Sequence, residues 1–281
     1  MQDSPILIIG KNAKTGLRVE RRLQALGYTT RGVSRSTTPT FDWQNQHTWR
    51  AALTGTESAY VTFYPDLAIP TAEQTIRDFV ELAKDVGLRH LVLLSGRGEK
   101  GAERAEKVLQ PSGLEWNVVR ASWFMQNFSE SFMIEGILNG ELMLPAGDIT
   151  EPFIDIDDIA DVAVATLTRP ELRNQLFEVS GPRALTFAQC VAEISQATGY
   201  SVQYTQIPID NFIQSLRSQG APEEMAWLMR ELFTVVFDGR NSTPTHGVEE
   251  ALGRPATDFS TFVNKVMAMG SWDRSGMLQQ A

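Results

Sequence analysis

A doubly wound α/β fold built on a parallel sheet is predicted by three features of this 281-residue chain. Strand-like runs alternate with helical patterns over the first two-thirds. Several of those runs are continuously apolar, as strands covered on both faces must be. The first run ends in a glycine turn that opens a helix.

The elements follow in order. Strand-like runs are PILIIG (5–10), YTTRGVS (28–34), SAYVTFY (58–64), HLVLLSG (90–96) and WNVVRAS (116–122). A helix over 16–26 places Leu17, Val19, Leu23 and Leu26 mostly on one face, with Gly27 able to end it. A second over 71–86 repeats the pattern with Ile76, Phe79, Val80, Ala83 and Val86, closed by Gly87. Such βα repeats with short connections imply right-handed crossovers. Beyond residue 150 the pattern loosens. PFIDIDDIADVAVATL reads as a strand entering a helix. LFEVSGPRALTFAQCVAEI reads as a strand, a Gly-Pro turn, a Thr186 cap and a helix. Residues 208–237 and 258–269 look helical, and the final WDRSGMLQQA, which has no pattern, is expected to fray. The predicted architecture is a Rossmann-type doubly wound sheet over 1–150, with 151–182 contributing to it, and a small, mainly helical C-terminal lobe over 183–281.

Bulk properties narrow the function. A net charge of -9 disfavours direct nucleic-acid binding. With no run of 18 apolar residues and no basic leader, the chain is expected to be cytoplasmic, away from membranes, as a monomer or homodimer. The single cysteine, Cys190, reads as a buried core thiol. Asp155, Asp157 and Asp158 surround a helix start, where carboxylates cap and favour the positive end, so no metal site is assigned.

The glycine turn carries the chemistry. In ILIIGKNAKTG, Gly10 allows a sharp exit from the strand and Gly16 allows close packing of the helix. A pyrophosphate would meet free N–H groups and the helix dipole there. Ala13 stands at the middle position, where such turns usually carry glycine, and adds one methyl. Asn12, Lys14 and Thr15 supply further donors. The second strand ends in GVSRS. NAD-preferring sites place an acidic residue there; Ser34 and Arg35 suit a 2′-phosphate instead, so NADP(H) is the expected cofactor. Tyr64 and Ser95, near the ends of the third and fourth strand runs, complete the candidate cofactor set.

ILIIGKNAKTG…RGVSRS, HLVLLSGRGEKGAERAEKVLQPSGLEWNVVRASWFMQNFSE, PFIDIDDIADVA and EVSGPRALTFAQCVAEI together resemble the NmrA-like proteins, atypical members of the short-chain dehydrogenase/reductase superfamily. The resemblance spans roughly residues 5 to 270, and SGLEWNVVRASWFMQNF is its most specific block. It implies NADP(H) across the strand ends, with a function that is either reduction of quinones and related molecules or NADP-responsive regulation. The chain departs from the family's usual turn at Lys11, Asn12 and Ala13.

No catalytic pair can be assigned. The YxxxK motif, in which a tyrosine protonates a carbonyl oxygen and a lysine lowers the tyrosine's pKa, is absent after all five tyrosines. Similar reductases carry a lysine at the start of the helix after the fifth strand; Ala102 of GAERAEK takes that place, with Lys100 in the neighbouring turn. Hydride transfer depends mainly on placement. The absence of YxxxK therefore argues against ketones more than against quinones, imines or enones. Candidate substrate residues are Arg97, Trp123, Phe124 and Asn127, expected where the strand ends meet the lobe. The expected function is NAD(P)H-dependent reduction of a small conjugated or aromatic substrate; the alternative is a non-catalytic NADP(H) sensor.

Overall fold

The computed structural model describes residues 4–274. Its strands are β1 Ile6–Ile9, β2 Thr30–Val33, β3 Ser58–Val61, β4 His90–Gly96, β5 Glu115–Ala121, β6 Glu141–Leu144, β7 Gln175–Val179 and β8 Gln203–Gln206. The chain divides into two compact units. The first gathers the chain up to Ala121, Ile156–Val179 and His246–Arg254; the second gathers Ser122–Asp155, Ser180–Thr245 and the chain from Pro255 onward.

The first unit holds a six-stranded parallel sheet in the order β2-β1-β3-β4-β5-β7. The order reverses beside β1, where β2 pairs on one side and β3 on the other, and such a switch point opens a crevice at the strand ends. Both β1 and β3 are buried at every residue, which explains why ILII and SAYV are apolar without alternation. Helices Lys14–Ala25, Ala72–Asp85, Lys100–Leu109 and Ile156–Thr168 accompany the sheet. Val19 and Leu23 of the first helix point into the core, but Leu26 is 62% exposed, because the helix ends at Ala25 and Leu26 is already its cap. The helix after Gly96 follows the fourth strand, not the fifth, so GAERAEK belongs to the β4–β5 crossover.

The acidic start of Ile156–Thr168 serves ion pairs. Arg22 reaches Asp157 at 2.7 Å and Asp161 at 2.6 Å, and Arg254 reaches Asp158 at 2.7 Å.

The second unit pairs β6 with β8 in parallel and is otherwise largely helical. Thr186 caps Phe187–Thr198 in a full capping box with Gln189. Helices Ile209–Ser218 and Glu223–Glu231 follow, then a π-helical turn at Leu232–Val236 and the helix Phe259–Ala268. Its core is aromatic, with Phe128, Phe153, Phe187 and Phe259 stacked edge to face or tilted. The expected fraying of the last ten residues is corrected in part. Trp272 is buried and its indole N–H donates to the Phe128 carbonyl at 3.0 Å, while Arg274 lies 3.6 Å from the Tyr200 ring centroid. The remainder of that expectation falls outside the described residues. Cys190 is a buried free thiol, and burial pushes its pKa up.

Candidate functional site

The turn after β1 is built around two glycines that no other residue replaces without movement. Gly10 has a φ of +83°, and a Cβ on it would lie 2.0 Å from Thr62 Oγ1. A Cβ on Gly16 would lie 2.2 Å from the Gly10 carbonyl oxygen. The helix therefore starts almost on top of the strand end, and Ala13 N–H donates to Gly10 O at 2.8 Å. Ala13 itself is exposed, in extended conformation just before the first helical residue, Lys14. No side chain caps this helix and its first turn holds no acidic residue, so its N–H groups and positive end remain suited to an anion.

The end of β2 closes onto this turn. Asn12 Nδ2 donates to Ser34 Oγ at 3.2 Å and to Ser36 Oγ at 3.4 Å, and the two hydroxyls lie 3.1 Å apart. Arg35 is exposed between them, with its guanidinium 5.4 Å from the Tyr64 ring centroid, a cation–π distance. Gly10, Asn12, Ala13, Lys14, Thr15, Gly16, Ser34, Arg35 and Tyr64 thus all lie at the C-terminal ends of β1, β2 and β3. Thr15 is buried. These residues fit the phosphates of a dinucleotide, and the cation and hydroxyls at β2 fit an extra phosphate on the ribose.

Ser95 and Arg97 are engaged elsewhere. Ser95, Arg120 and Glu178 stand side by side in register across β4, β5 and β7. Ser95 Oγ donates to Glu106 Oε1 at 2.6 Å, Arg120 binds both Glu106 and Glu178, and Arg97 Nε donates to Glu178 Oε1 at 2.7 Å. The Glu106 hydrogen bond holds the Arg120 pKa above its ordinary value.

Trp123, Phe124 and Asn127 fall in the second unit. The Trp123 ring packs against Phe233 at 5.0 Å, Phe237 at 5.6 Å and Phe187 at 5.8 Å. Phe124 forms an isolated parallel bridge with Ile154, and Asn127 sits in a 3₁₀ turn, Met125–Phe128.

One further feature has no local signature among the residues around it. Glu99, in the loop after β4, folds back over Gly96, where a Cβ would lie 2.1 Å from its Oε1, and burial pushes the carboxyl of Asp66, in the loop after β3, up from its ordinary range. Only the strand order brings these two loops together.

The family model for the NmrA-like family matches residues 103–267, more than half of the chain. The chain belongs to the NmrA-like family. Among its relatives, NAD(P)H azoreductase of Xenophilus azovorans is 29% identical over 284 residues, covering 92% of this chain and 96% of that protein. Prestalk A differentiation protein A of Dictyostelium discoideum is 28% identical over 262 residues, covering 92% and 84%. An NADPH-dependent quinone oxidoreductase from Escherichia coli, solved with NADPH, matches this NmrA-like chain with a TM-score of 0.77 at 19% identity, covering 93% of this chain and 99% of that one. That likeness establishes the shared fold. No helix among the described residues is long and apolar enough to cross a membrane.

Proposed function

We propose that this protein is an NADP(H)-dependent reductase of a small, flat, conjugated acceptor such as a quinone, an imine, an enone or an azo compound. The observation that carries the reading is the donor cluster at the ends of β1 and β2. Asn12, Ser34 and Ser36 bond to one another there, and Arg35 stands beside them with no carboxylate in Ser34–Ser36. The azoreductase relative, aligned over nearly its whole length, supports the same chemistry.

In this reading Gly10, Ala13 and Gly16 let backbone approach the pyrophosphate, and Asn12, Lys14 and Thr15 donate around it. Ser34 and Arg35 bind the 2′-phosphate, with Tyr64 flanking Arg35. NADPH supplies a hydride. Trp123, Phe124 and Asn127 are the candidate substrate contacts. Ser95 and Arg97, assigned from sequence to cofactor and substrate, are better placed to hold β4, β5 and β7 in line through Glu106 and Glu178. The protein acts as a monomer or homodimer without nucleic acid.

Titration with both cofactors, followed by NADPH oxidation with quinones, imines, enones, azo dyes and simple ketones, tests this. NADPH binds more tightly than NADH, Arg35→Asp reverses or abolishes the preference, and conjugated acceptors turn over faster than ketones. Equal affinity for both cofactors in the wild-type protein overturns the assignment of Arg35. A second reading, an NADP(H) sensor, is favoured by the missing YxxxK pair; tight NADPH binding without oxidation by any acceptor selects it.

A further inference from the structure

The phosphate turn and the end of β2 are joined twice. Backbone joins them first. β1 and β2 pair in register up to Ile9 and Val33, and the N–H groups of Gly10 and Lys11 both donate to the Val33 carbonyl, at 3.1 and 3.2 Å. The Asn12 side chain joins them again, through Ser34 and Ser36. The loop that carries the two serines is pinned from behind. Ser34 N–H donates to Thr37 Oγ1 at 2.8 Å, and the Ser34 carbonyl accepts from the N–H of the buried Phe41 at 3.0 Å.

The available lone pairs fix which way the hydroxyl protons point. A serine oxygen has one hydrogen to give and two lone pairs that accept. Ser34 Oγ accepts from Asn12 Nδ2 at 3.2 Å and from Ser36 N–H at 3.2 Å, so both of its lone pairs are filled. In the 3.1 Å contact between the two hydroxyls, Ser34 is therefore the donor. Ser36 Oγ accepts from Ser34 and, at 3.4 Å, from Asn12 Nδ2, and its lone pairs are filled in turn. Ser36 is left with an O–H that can only donate, and it is exposed beside Arg35. A donor next to a guanidinium suits the oxygen of an anion. A ribose 2′-hydroxyl, which in NAD sites donates to a carboxylate, finds no acceptor on Ser34, Arg35 or Ser36.

We propose that Asn12 is a positioning residue that sets cofactor choice. By filling lone pairs of Ser34 and Ser36, it turns the Ser36 proton outward, in favour of the 2′-phosphate of NADP(H) and against the bare 2′-hydroxyl of NAD(H). This rests on the NADP(H) reading above and adds to it a residue of the glycine turn whose side chain acts only through Ser36. Both amide hydrogens of Asn12 are committed to the serines, so its share in holding the pyrophosphate falls to its backbone N–H.

Calorimetric titration with NADP⁺ and NAD⁺, which differ only in the 2′-phosphate, tests the proposal without turnover. The wild-type protein favours NADP⁺. Asn12→Ala and Ser36→Ala each reduce that preference by about tenfold, the weight of one hydrogen bond to a charged group, and leave NAD⁺ affinity unchanged. The double variant is no worse than either single one, because the two residues act as one unit. Single losses that multiply in the double variant overturn the relay, and so does an NAD⁺ affinity that falls in step with that for NADP⁺. An unchanged preference in either single variant overturns it too and leaves the NADP(H) reading intact. A wild-type protein that does not favour NADP⁺ removes that reading and the relay together.

Discussion

Gly16 is held in place by a carbonyl oxygen. Because a Cβ there would lie 2.2 Å from Gly10 O, Gly16→Val must push the helix from the strand end and break the phosphate turn. Ala13 is exposed, so Ala13→Gly leaves that packing intact. We expect NADPH affinity to be lost in the first variant and kept or improved in the second, as read by calorimetric titration of folded protein. Normal binding by a folded Gly16→Val protein would contradict the role of the turn. His90 shows a different constraint. Asn117 Nδ2 donates to the Leu172 and Gln175 carbonyls, which leaves Oδ1 facing His90 Nε2 at 2.9 Å. Nε2 therefore carries the hydrogen, and Nδ1 is buried without a hydrogen-bond partner. Burial lowers the His90 pKa, with the Asn117 bond and Glu115 opposing and Arg173 reinforcing. The unfolded chain takes up a proton near pH 6.5 that the folded chain resists, so stability falls as pH drops below about 6.5. Urea denaturation between pH 7 and pH 5 should show this slope, and His90→Gln should flatten it. The glycines were legible in the sequence because their spacing is local. The closeness of the loops that carry Asp66 and Glu99 was not, since it depends on β3 and β4 becoming neighbours.

Among the elements, the buried apolar strands and the strongly periodic helices could be read directly, and the partly exposed β6 and β8 could not, although β1 and β3 are no longer than they are. ELML of β6 and QYTQ of β8 are four residues each, and β8 has no fully buried residue to betray it. They pair only with one another, across some sixty residues of chain. The π-helical turn over Leu232–Val236 likewise breaks the 3.6-residue pattern that the 208–237 stretch otherwise suggests. Caps were easier, because their partners are close in sequence. Thr186 was recognised from a local signal, while Asp258 gains its importance from a distant arginine. Asp258 Oδ1 accepts from Ser260 N–H at 2.9 Å at the start of Phe259–Ala268, and Arg183 grips the same carboxylate at 2.5 and 2.8 Å. The Arg183 bond holds the Asp258 pKa well below the carboxylate range. Asp258→Ala should therefore cost about 1–2 kcal/mol, combining a lost cap with a partly exposed ion pair. The ion-pair share exists only while Asp258 is ionised, so the gap from wild type should shrink as pH falls below about 4. Parallel melts at pH 7 and pH 3 check it; an equal gap at both would reject the charge contribution.

At the scale of the molecule, composition and strand alternation announced the doubly wound sheet, but not how often the chain leaves it. The first unit is left after Ala121, rejoined at Ile156, left after Val179, rejoined at His246 and left again after Arg254. The last visit is tied in by close backbone packing and by charge. A Cβ on Gly247 would lie 2.3 Å from the Glu178 carbonyl oxygen of β7, and Arg254 reaches Asp158 at 2.7 Å and Asp161 at 2.6 Å. Asp158 is buried, so Arg254→Ala should destabilise by about 1–3 kcal/mol through loss of a cation facing a buried carboxylate. Chemical denaturation measures this, and a loss under about 0.5 kcal/mol, the level of an ordinary surface change, would show that the returning segment contributes little. The same threading bears on how the protein is made. Gly10 leaves the ribosome early, but its sheet lacks its last covering segment until Arg254 has followed, 244 residues later by their numbers. At about 5–20 residues per second, that is roughly 12–50 seconds before β7 gains its last cover. A nascent chain stalled at residue 245 should stay sensitive to protease along β7 and the Ile156–Thr168 helix, on which the returning segment packs, whereas one stalled well past 254 should resist.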